Sequence, residues 1–380
     1  MAAKSVQFGI DVFLETIDLK DAAIGLVCNA ASLTTTGTHA SQALLAHGFN
    51  IKKLFSPEHG FSAKGDDGAF ISDDTDLVTR LPIISLYGNK LAPTTDDLAD
   101  IDLVILDLPD IGARFYTYLW TMTYVMEACV ANGKKLLILD RPNPIATHFD
   151  FAEGPVLEEN CSSFIGRFSI PIKHNCTLAE LANYFKVLKY PLLKLETIAM
   201  KNWDRYKNDD YPFFATSPAI QKRHTAYLYP GTCLFEGLNI NEARSTEFPF
   251  EQFGAPWIDA NLLKCKMLEI SDAVDLEIVS YRAVAAPYLG EICNGLRIIP
   301  KSLHSFKPVN YIITLISLMT KLFPNKLKER NYLTNVNPNG EKHLDKLVGT
   351  TNSFEKISSN NLDTAVPNWL TTIKPYLIYP

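Results

Sequence analysis

Short apolar runs alternate with longer amphipathic stretches through the first 150 residues. "AAIGLVCNAA" (22–31), "IKKLFSPE" (51–58), "IISLY" (83–87), "LVILDLPD" (103–110) and "KLLILDRPNP" (135–144) read as strands. Between them fall helical patterns at "HASQALLAHG" (39–48), near 94–100, and from Tyr116 to Ala131. Continuous apolar strands separated by helices of about 10–16 residues mark βα units and a parallel sheet covered on both faces. The fold class expected is α/β, with a Rossmann-like, doubly wound, mostly parallel sheet.

Open sheets of this kind bind ligands beyond the carboxyl ends of their strands. Polar residues collect there: Asn29 after the first strand, Glu58 and His59 after the second, Asp107 and Asp110 after another, and Asp140, Arg141 and Asn143 after the last. No nucleotide is the obvious occupant. The first strand runs into "NAASLTTTG", and neither G-x-G-x-x-G nor G-x-x-x-x-G-K-[ST] supplies a phosphate cradle.

Beyond Pro144 the chain is rich in loops. "TLAELANYFKVLK" (177–189) resumes a helix, with Thr177 as N-cap and Glu180 three residues on. Residues 202–230 read as a linker or an active-site loop. Further on, "PWIDANLLKCKMLEI" is helical, "LEIVSYRAV" strand-like and "VNYIITLISLMTKLF" an apolar helix, followed by an Asn-rich end. The expected division is a Rossmann-like domain over 1–225 and a smaller α+β domain over 226–380 that closes a cleft.

Composition narrows the function. The 380 residues are 47% hydrophobic and 21% charged, the balance of a globular protein. A net charge of −6 provides no sequence-wide field for phosphate backbones, which argues against a nucleic-acid partner. Seven dispersed cysteines, without CxxC spacing, read as reduced thiols. No window is apolar enough to span a membrane, and "MAAKSVQFGIDVFLE" lacks a signal-peptide core, so a cytoplasmic location is expected. Eight histidines without HxxxH spacing suggest no metal, and no cofactor is expected.

Particular residues carry candidate chemistry. Glu58 and His59 in "LFSPEHGF" are either a polar turn or a proton-handling pair, and partial burial would raise the glutamic acid into a general acid's range. "LPDIGARFYTY" (108–118) offers Asp110, Arg114 and Tyr116, or simply an N-cap on a solvated helix face. "LDRPNP" adds Asp140, Arg141 and Asn143, and "IPIKHN" adds His174. "EGLNINEARSTEFPFEQFGAPWID" (236–259) supplies Glu236, Asn239, Glu242, Arg244, Glu251 and Trp257, suited to a sugar site and equally to a salt-bridged loop.

Taken together, "LFSPEHGF", "LPIISLYG", "DLPDIGARFYTY", "LDRPNPI", "EGPVLEE", "SFIGRFSIPIKHN", "YPGTCLFEGLNINEARSTEFPFEQFGAPWID" and "PYLGEICNGL" resemble the successive blocks of the NamZ-like exo-β-N-acetylmuramidase family, across about residues 9–300. The resemblance implies a Rossmann-like domain, a smaller second domain, and a cleft between them that releases N-acetylmuramic acid from the non-reducing end of peptidoglycan fragments. It also implies Glu58 as the leading catalytic residue. The chain departs from the family pattern at "GDDGAFI", where an Ala-Gly-Glu is usual. It departs again at "NEARST", where Ala243 and Ser245 replace glycines, and at "TSPAIQ", where Ala219 replaces an Asn.

These residues form a catalytic group of Glu58, His59 and Asp110. The substrate-binding group is Asn29, Arg114, Tyr116, Arg141, Asn143, His174, Glu236, Asn239, Arg244 and Trp257. The expected substrate is a muropeptide or peptidoglycan-derived disaccharide, with Arg114, Arg141 and Arg244 facing its lactyl carboxylate. Asp110, Asp140 and Glu236 stand open as the second catalytic group. A carboxylate spacing of about 6.5–9.5 Å marks inversion and about 5 Å retention, while an acetamido sugar can supply its own nucleophile. The alternatives are a non-catalytic muropeptide-binding protein and a hydrolase of another anionic amino sugar.

Overall fold

The computed structural model describes residues 5–207 and 210–380. Met1–Lys4 of the opening stretch, and positions 208 and 209 of the expected 202–230 loop, lie outside them. The first half comprises α1 (Gly9–Thr16), β1 (Ile24–Val27), α2 (Ala40–Ala46), β2 (Ile51–Ser56), β3 (Asp74–Thr75), β4 (Pro82–Ser85), α3 (Thr95–Leu98), β5 (Leu103–Leu106), α4 (Tyr118–Ala131), β6 (Lys135–Leu139), α5 (Leu178–Leu188) and β7 (Lys194–Ile198). Its strands form one sheet in the order β3-β4-β2-β1-β5-β6-β7, parallel throughout except for the short antiparallel edge strand β3. β1 and β5 are buried along their whole length, as continuous apolar strands must be when helices cover both faces.

The second half begins with α6 (Arg223–Thr232), then β8 (Gln252–Ala255), α7 (Ala260–Ile270), β9 (Val274–Arg282), β10 (Ile292–Pro300), α8 (Pro308–Leu322), α9 (His343–Val348), α10 (Ser353–Ser358) and α11 (Trp369–Ile373). β8, β10 and β9 make a small antiparallel sheet with β10 in the centre. The expected 202–230 loop ends earlier than its sequence suggests, because α6 begins at Arg223 in spite of Pro230 and Gly231. Gly231 is what lets α6 lie against α8: a Cβ there would meet the Pro308 carbonyl oxygen at 2.2 Å.

Capping sets several boundaries. Thr177 and Glu180 form the reciprocal box expected at the start of α5, with Glu180 N–H donating to Thr177 Oγ1 (3.3 Å) and Thr177 N–H to Glu180 Oε2 (2.9 Å). At α8 the cap comes from the other half of the molecule. Glu153 accepts from the backbone N–H of Val309 (3.3 Å) and Asn310 (2.8 Å), placing a carboxylate on the positive end of the helix. The chain end also returns to the first sheet, where Tyr379 donates its hydroxyl to Asp140 (2.7 Å). One apolar core runs through both halves, from Val27 in β1 to Ile373 in α11.

Candidate active site

Pro57 ends β2, and the chain curls at once. Gly60 N–H donates to the Pro57 carbonyl (3.1 Å), with His59 and Gly60 both in the left-handed region at φ 65° and 72°. Glycine meets that demand freely; His59 is held there as its Nδ1 donates to the Gly65 carbonyl (2.8 Å). A carbonyl only accepts, so this nitrogen carries the ring proton. The curl drives the Glu58 side chain beneath the 65–71 loop, where the residue is only 6% exposed.

There Glu58 Oε1 accepts from Gly68 N–H (3.0 Å) and Oε2 from the Thr117 hydroxyl (2.6 Å), while Tyr87, just past β4, also hydrogen-bonds it. Burial chiefly pushes the carboxyl above its ordinary range, and the negative charge of Asp67 adds to the effect. His59 and the two donors oppose that shift without cancelling it. Thr117 occupies the turn before α4, so the helix starts at Tyr118 rather than at Tyr116.

Glu58 opens on a cleft of about 430 Å³ whose lining comes from both halves of the chain. Tyr87, Phe115, Tyr116, Phe164, Tyr229 and Phe250 form its aromatic walls, and Glu236, Arg244 and His343 its polar floor. Arg244 is paired with Glu236, with Glu242 (2.9 Å) and with Asp67 (3.5 Å). His343 Nε2 stands 3.2 Å from Glu236 Oε2. Burial would raise the Glu236 carboxyl, but Arg244 and His343 outweigh it and bring the group down to about 2. Two carboxyl groups of one cleft are thus driven apart, Glu58 towards its neutral form and Glu236 towards permanent charge.

Of the residues expected at the site, Glu58, His59, Tyr116, Glu236 and Arg244 line this cleft. The structure places the others elsewhere. Arg114 is fully buried, and its guanidinium donates to the carbonyls of Pro155 (2.7 Å), Ile170 (3.0 Å), Leu347 (2.8 Å) and Val348 (2.8 Å). Arg141 is forked onto Asp107 at 2.5 and 2.8 Å. Asp110 accepts from Gly112 N–H (3.0 Å), sits 3.5 Å from His174 Nε2, and borders a separate recess of about 30 Å³ with Arg141.

Asn29 caps its own turn through Ala31 N–H (3.1 Å), and Asn143 bridges Ile145 N–H (3.0 Å) and the Cys176 carbonyl (2.9 Å). Asn239 ties down Lys326 and Lys328, and Trp257 donates to Tyr288 (2.9 Å). Asp140, held by Tyr379 and Ala179 N–H (3.1 Å), is pushed up to about 7 by burial but lies outside the cleft. In each case at least one polar atom that could have met a ligand is engaged within the fold, although Asn29 Nδ2, Asp110 Oδ1 and Arg114 Nε stay buried without a hydrogen-bond partner.

The cleft also contains residues that the sequence reading passed over. Asp67, from the divergent "GDDGAFI" segment, receives the Tyr332 hydroxyl (2.6 Å) across 265 positions. Thr334, Asn337, His343 and Lys346 join it from the Asn-rich end. Tyr87 could have been found by the strand-end rule that singled out Glu58, whereas the residues after 330 follow no motif. Among the described residues, no helix is long and apolar enough to cross a membrane.

Comparison with known proteins agrees with this architecture. Family models described as exo-beta-N-acetylmuramidase NamZ, N-terminal and C-terminal, match residues 24–224 and 227–379. The peptidoglycan beta-N-acetylmuramidase NamZ of Bacillus subtilis (strain 168) is 33% identical over 98% of this chain and 91% of its own. Two crystal structures of DUF1343 family proteins from Bacteroides fragilis superpose over 99% of both chains. Their TM-scores are 0.86 and 0.74, at 25% and 26% identity.

Proposed function

The chain belongs to the exo-β-N-acetylmuramidase NamZ family, and we propose that Glu58 is the general acid of its reaction. The protein is an exo-acting glycosidase that releases N-acetylmuramic acid from the non-reducing end of peptidoglycan fragments. Its substrate is a muropeptide or a peptidoglycan-derived disaccharide. One observation carries the assignment of Glu58: a carboxyl group at the mouth of a parallel sheet, nearly buried, faces a sugar-sized aromatic cleft with only neutral hydrogen-bond donors around it.

Glu58 gives its proton to the departing glycosidic oxygen as the bond to the anomeric carbon breaks. Asp67 is one residue from the N–H that holds Glu58 and is itself held by Tyr332 and Arg244. Its carboxylate stabilises the positive charge that develops on the sugar ring. The aromatic walls orient the ring, and a water that enters the cleft supplies the new oxygen at the anomeric carbon and the proton that restores the Glu58 carboxyl.

The test is hydrolysis of a chromogenic β-N-acetylmuramide by wild type and Glu58→Gln. Loss of the proton donor lowers kcat by about 10²–10⁴-fold while the folded state persists. Turnover within a few-fold of wild type would take Glu58 out of the reaction.

A further inference from the structure

N-acetylmuramic acid carries a lactyl carboxylate, yet the cleft that receives it is rich in acids. A charged sugar can enter only where a cation is not already matched by the protein. Arg114 is committed to four carbonyls and Arg141 to Asp107. Arg244 is surrounded by Glu236, Glu242 and Asp67, and His343 faces Glu236.

Lys346 differs from all of them. It lies three residues beyond His343 on α9, which brings both side chains to the same helix face and into the cleft lining. Among the described residues, no carboxylate lies within ion-pairing distance of it. Its Nζ donates to Asn337 Oδ1 (2.8 Å), and burial holds the amine below its ordinary range, a cost that a bound anion offsets. Asn337 also lines the cleft, and its Nδ2 is buried without an acceptor. An ammonium group and an amide N–H therefore stand side by side on one wall.

We propose that Lys346 and Asn337 form the subsite that reads the lactyl carboxylate, with Nζ supplying the charge and Nδ2 a second hydrogen bond. The pair then sets the preference for a muramic over a glucosamine residue. This assignment rests on the muramidase reading above. It differs from the expectation that arginines would hold the carboxylate: Arg114 and Arg141 spend most of their donors on carbonyls and on Asp107 away from the cleft, and Arg244 already lies among three carboxylates.

The experiment compares kcat/KM on β-N-acetylmuramide and β-N-acetylglucosaminide for wild type, Lys346→Met, Lys346→Arg and Asn337→Ala. It is run beside calorimetric titration with free N-acetylmuramic acid and N-acetylglucosamine. A charge-assisted contact of this kind is worth about 10–100-fold. Lys346→Met is expected to lower the muramide preference by that factor, mainly through KM. Asn337→Ala lowers it by about 3–10-fold, and Lys346→Arg keeps most of it.

Equal loss on both glycosides in Lys346→Met, or no loss of muramide preference, overturns the assignment. The titration separates this from failure of the muramidase reading, since it needs no turnover. Wild type that binds muramic acid no better than glucosamine removes the subsite. Preference for muramic acid that disappears in Lys346→Met upholds it, even in a protein that cleaves neither glycoside.

Discussion

Replacing Thr117 with Val removes one defined interaction from the proposed acid and leaves the rest of its surroundings in place. The Thr117 hydroxyl donates to Glu58 Oε2 at 2.6 Å, a bond that strengthens when the carboxyl ionises. Such a bond favours the charged form and opposes the upward shift that burial imposes. Hydrogen bonds to charged groups contribute about 1.5–3 kcal/mol, so without it the Glu58 titration moves to higher pH. A general acid must hold its proton, so kcat/KM falls as pH rises through the Glu58 titration. The basic limb of the wild-type profile therefore moves to higher pH in Thr117→Val. Stability has its own sign. A carboxyl group whose folded pKa is raised favours the folded state at pH below its unfolded value near 4.5 and loses that contribution as pH rises through the folded value. Urea unfolding at a pH below the unfolded value is then little changed by the substitution, whereas at a pH above the folded titration the variant is weaker by about the energy of the bond. The assay is a pH series of muramide hydrolysis alongside urea midpoints at those two pH values. A basic limb that stays in place would mean that some other group titrates in the reaction, and the argument for Glu58 would fail.

Three further substitutions probe the scaffold. Arg114→Met removes four charge-assisted bonds that join the 155–170 segment to the end of α9. It is expected to cost about 3–5 kcal/mol in urea unfolding, while the muramide-to-glucosaminide ratio of the folded enzyme stays as in wild type; a stable variant with a changed ratio would restore Arg114 to the substrate. Ala243 and Ser245 occupy the left-handed region at φ 57° and 61°, where the family pattern has glycine. Changing either to Gly relieves steric strain and restores some chain entropy to the unfolded state, for a net gain of about 0.5–1 kcal/mol, and a lower urea midpoint would contradict it.

The centre of the sheet was legible because β1, β5 and β6 are apolar on both faces, so each appears as an unbroken run with turn residues at its end, whereas the polar edge strands β3 and β7 carry no such signal. That same rule located Glu58 and His59. Residues such as Arg114, Arg141 and Asn143 misled for a physical reason: a guanidinium fork or an amide suited to a sugar acid is equally suited to a backbone carbonyl or a buried aspartate. Sequence spacing contains nothing that separates the two uses. Asp67, Asn337 and Lys346 were missed for the opposite reason. They sit in loops or on the short helix α9 without apolar periodicity, and only folding across some 265 positions, as between Asp67 and Tyr332, brings them together.

The matching of charges in the cleft explains why one acid among several is left to handle a proton. Glu236 and Glu242 are held by Arg244, with His343 assisting the first, and Asp67 shares with Glu236 the Nη2 of the same guanidinium. Arg244 draws the Glu236 carboxyl down, whereas burial keeps the Glu242 carboxyl, which does not line the cleft, above its ordinary range in spite of the same guanidinium. Glu58 is surrounded by donors that are neutral and, through Asp67, by added negative potential, so the proton that the cleft retains settles there. Lys346 donates to a neutral amide, and among the described residues no carboxylate lies within ion-pairing distance of it, although Glu341 acts on it from farther away. Glu58 is thus a group able to give a proton and Lys346 one in need of an anion. A glycoside with a basic bridging oxygen and a carboxylate on its lactyl arm complements both at once, and a sugar without that arm complements only the first.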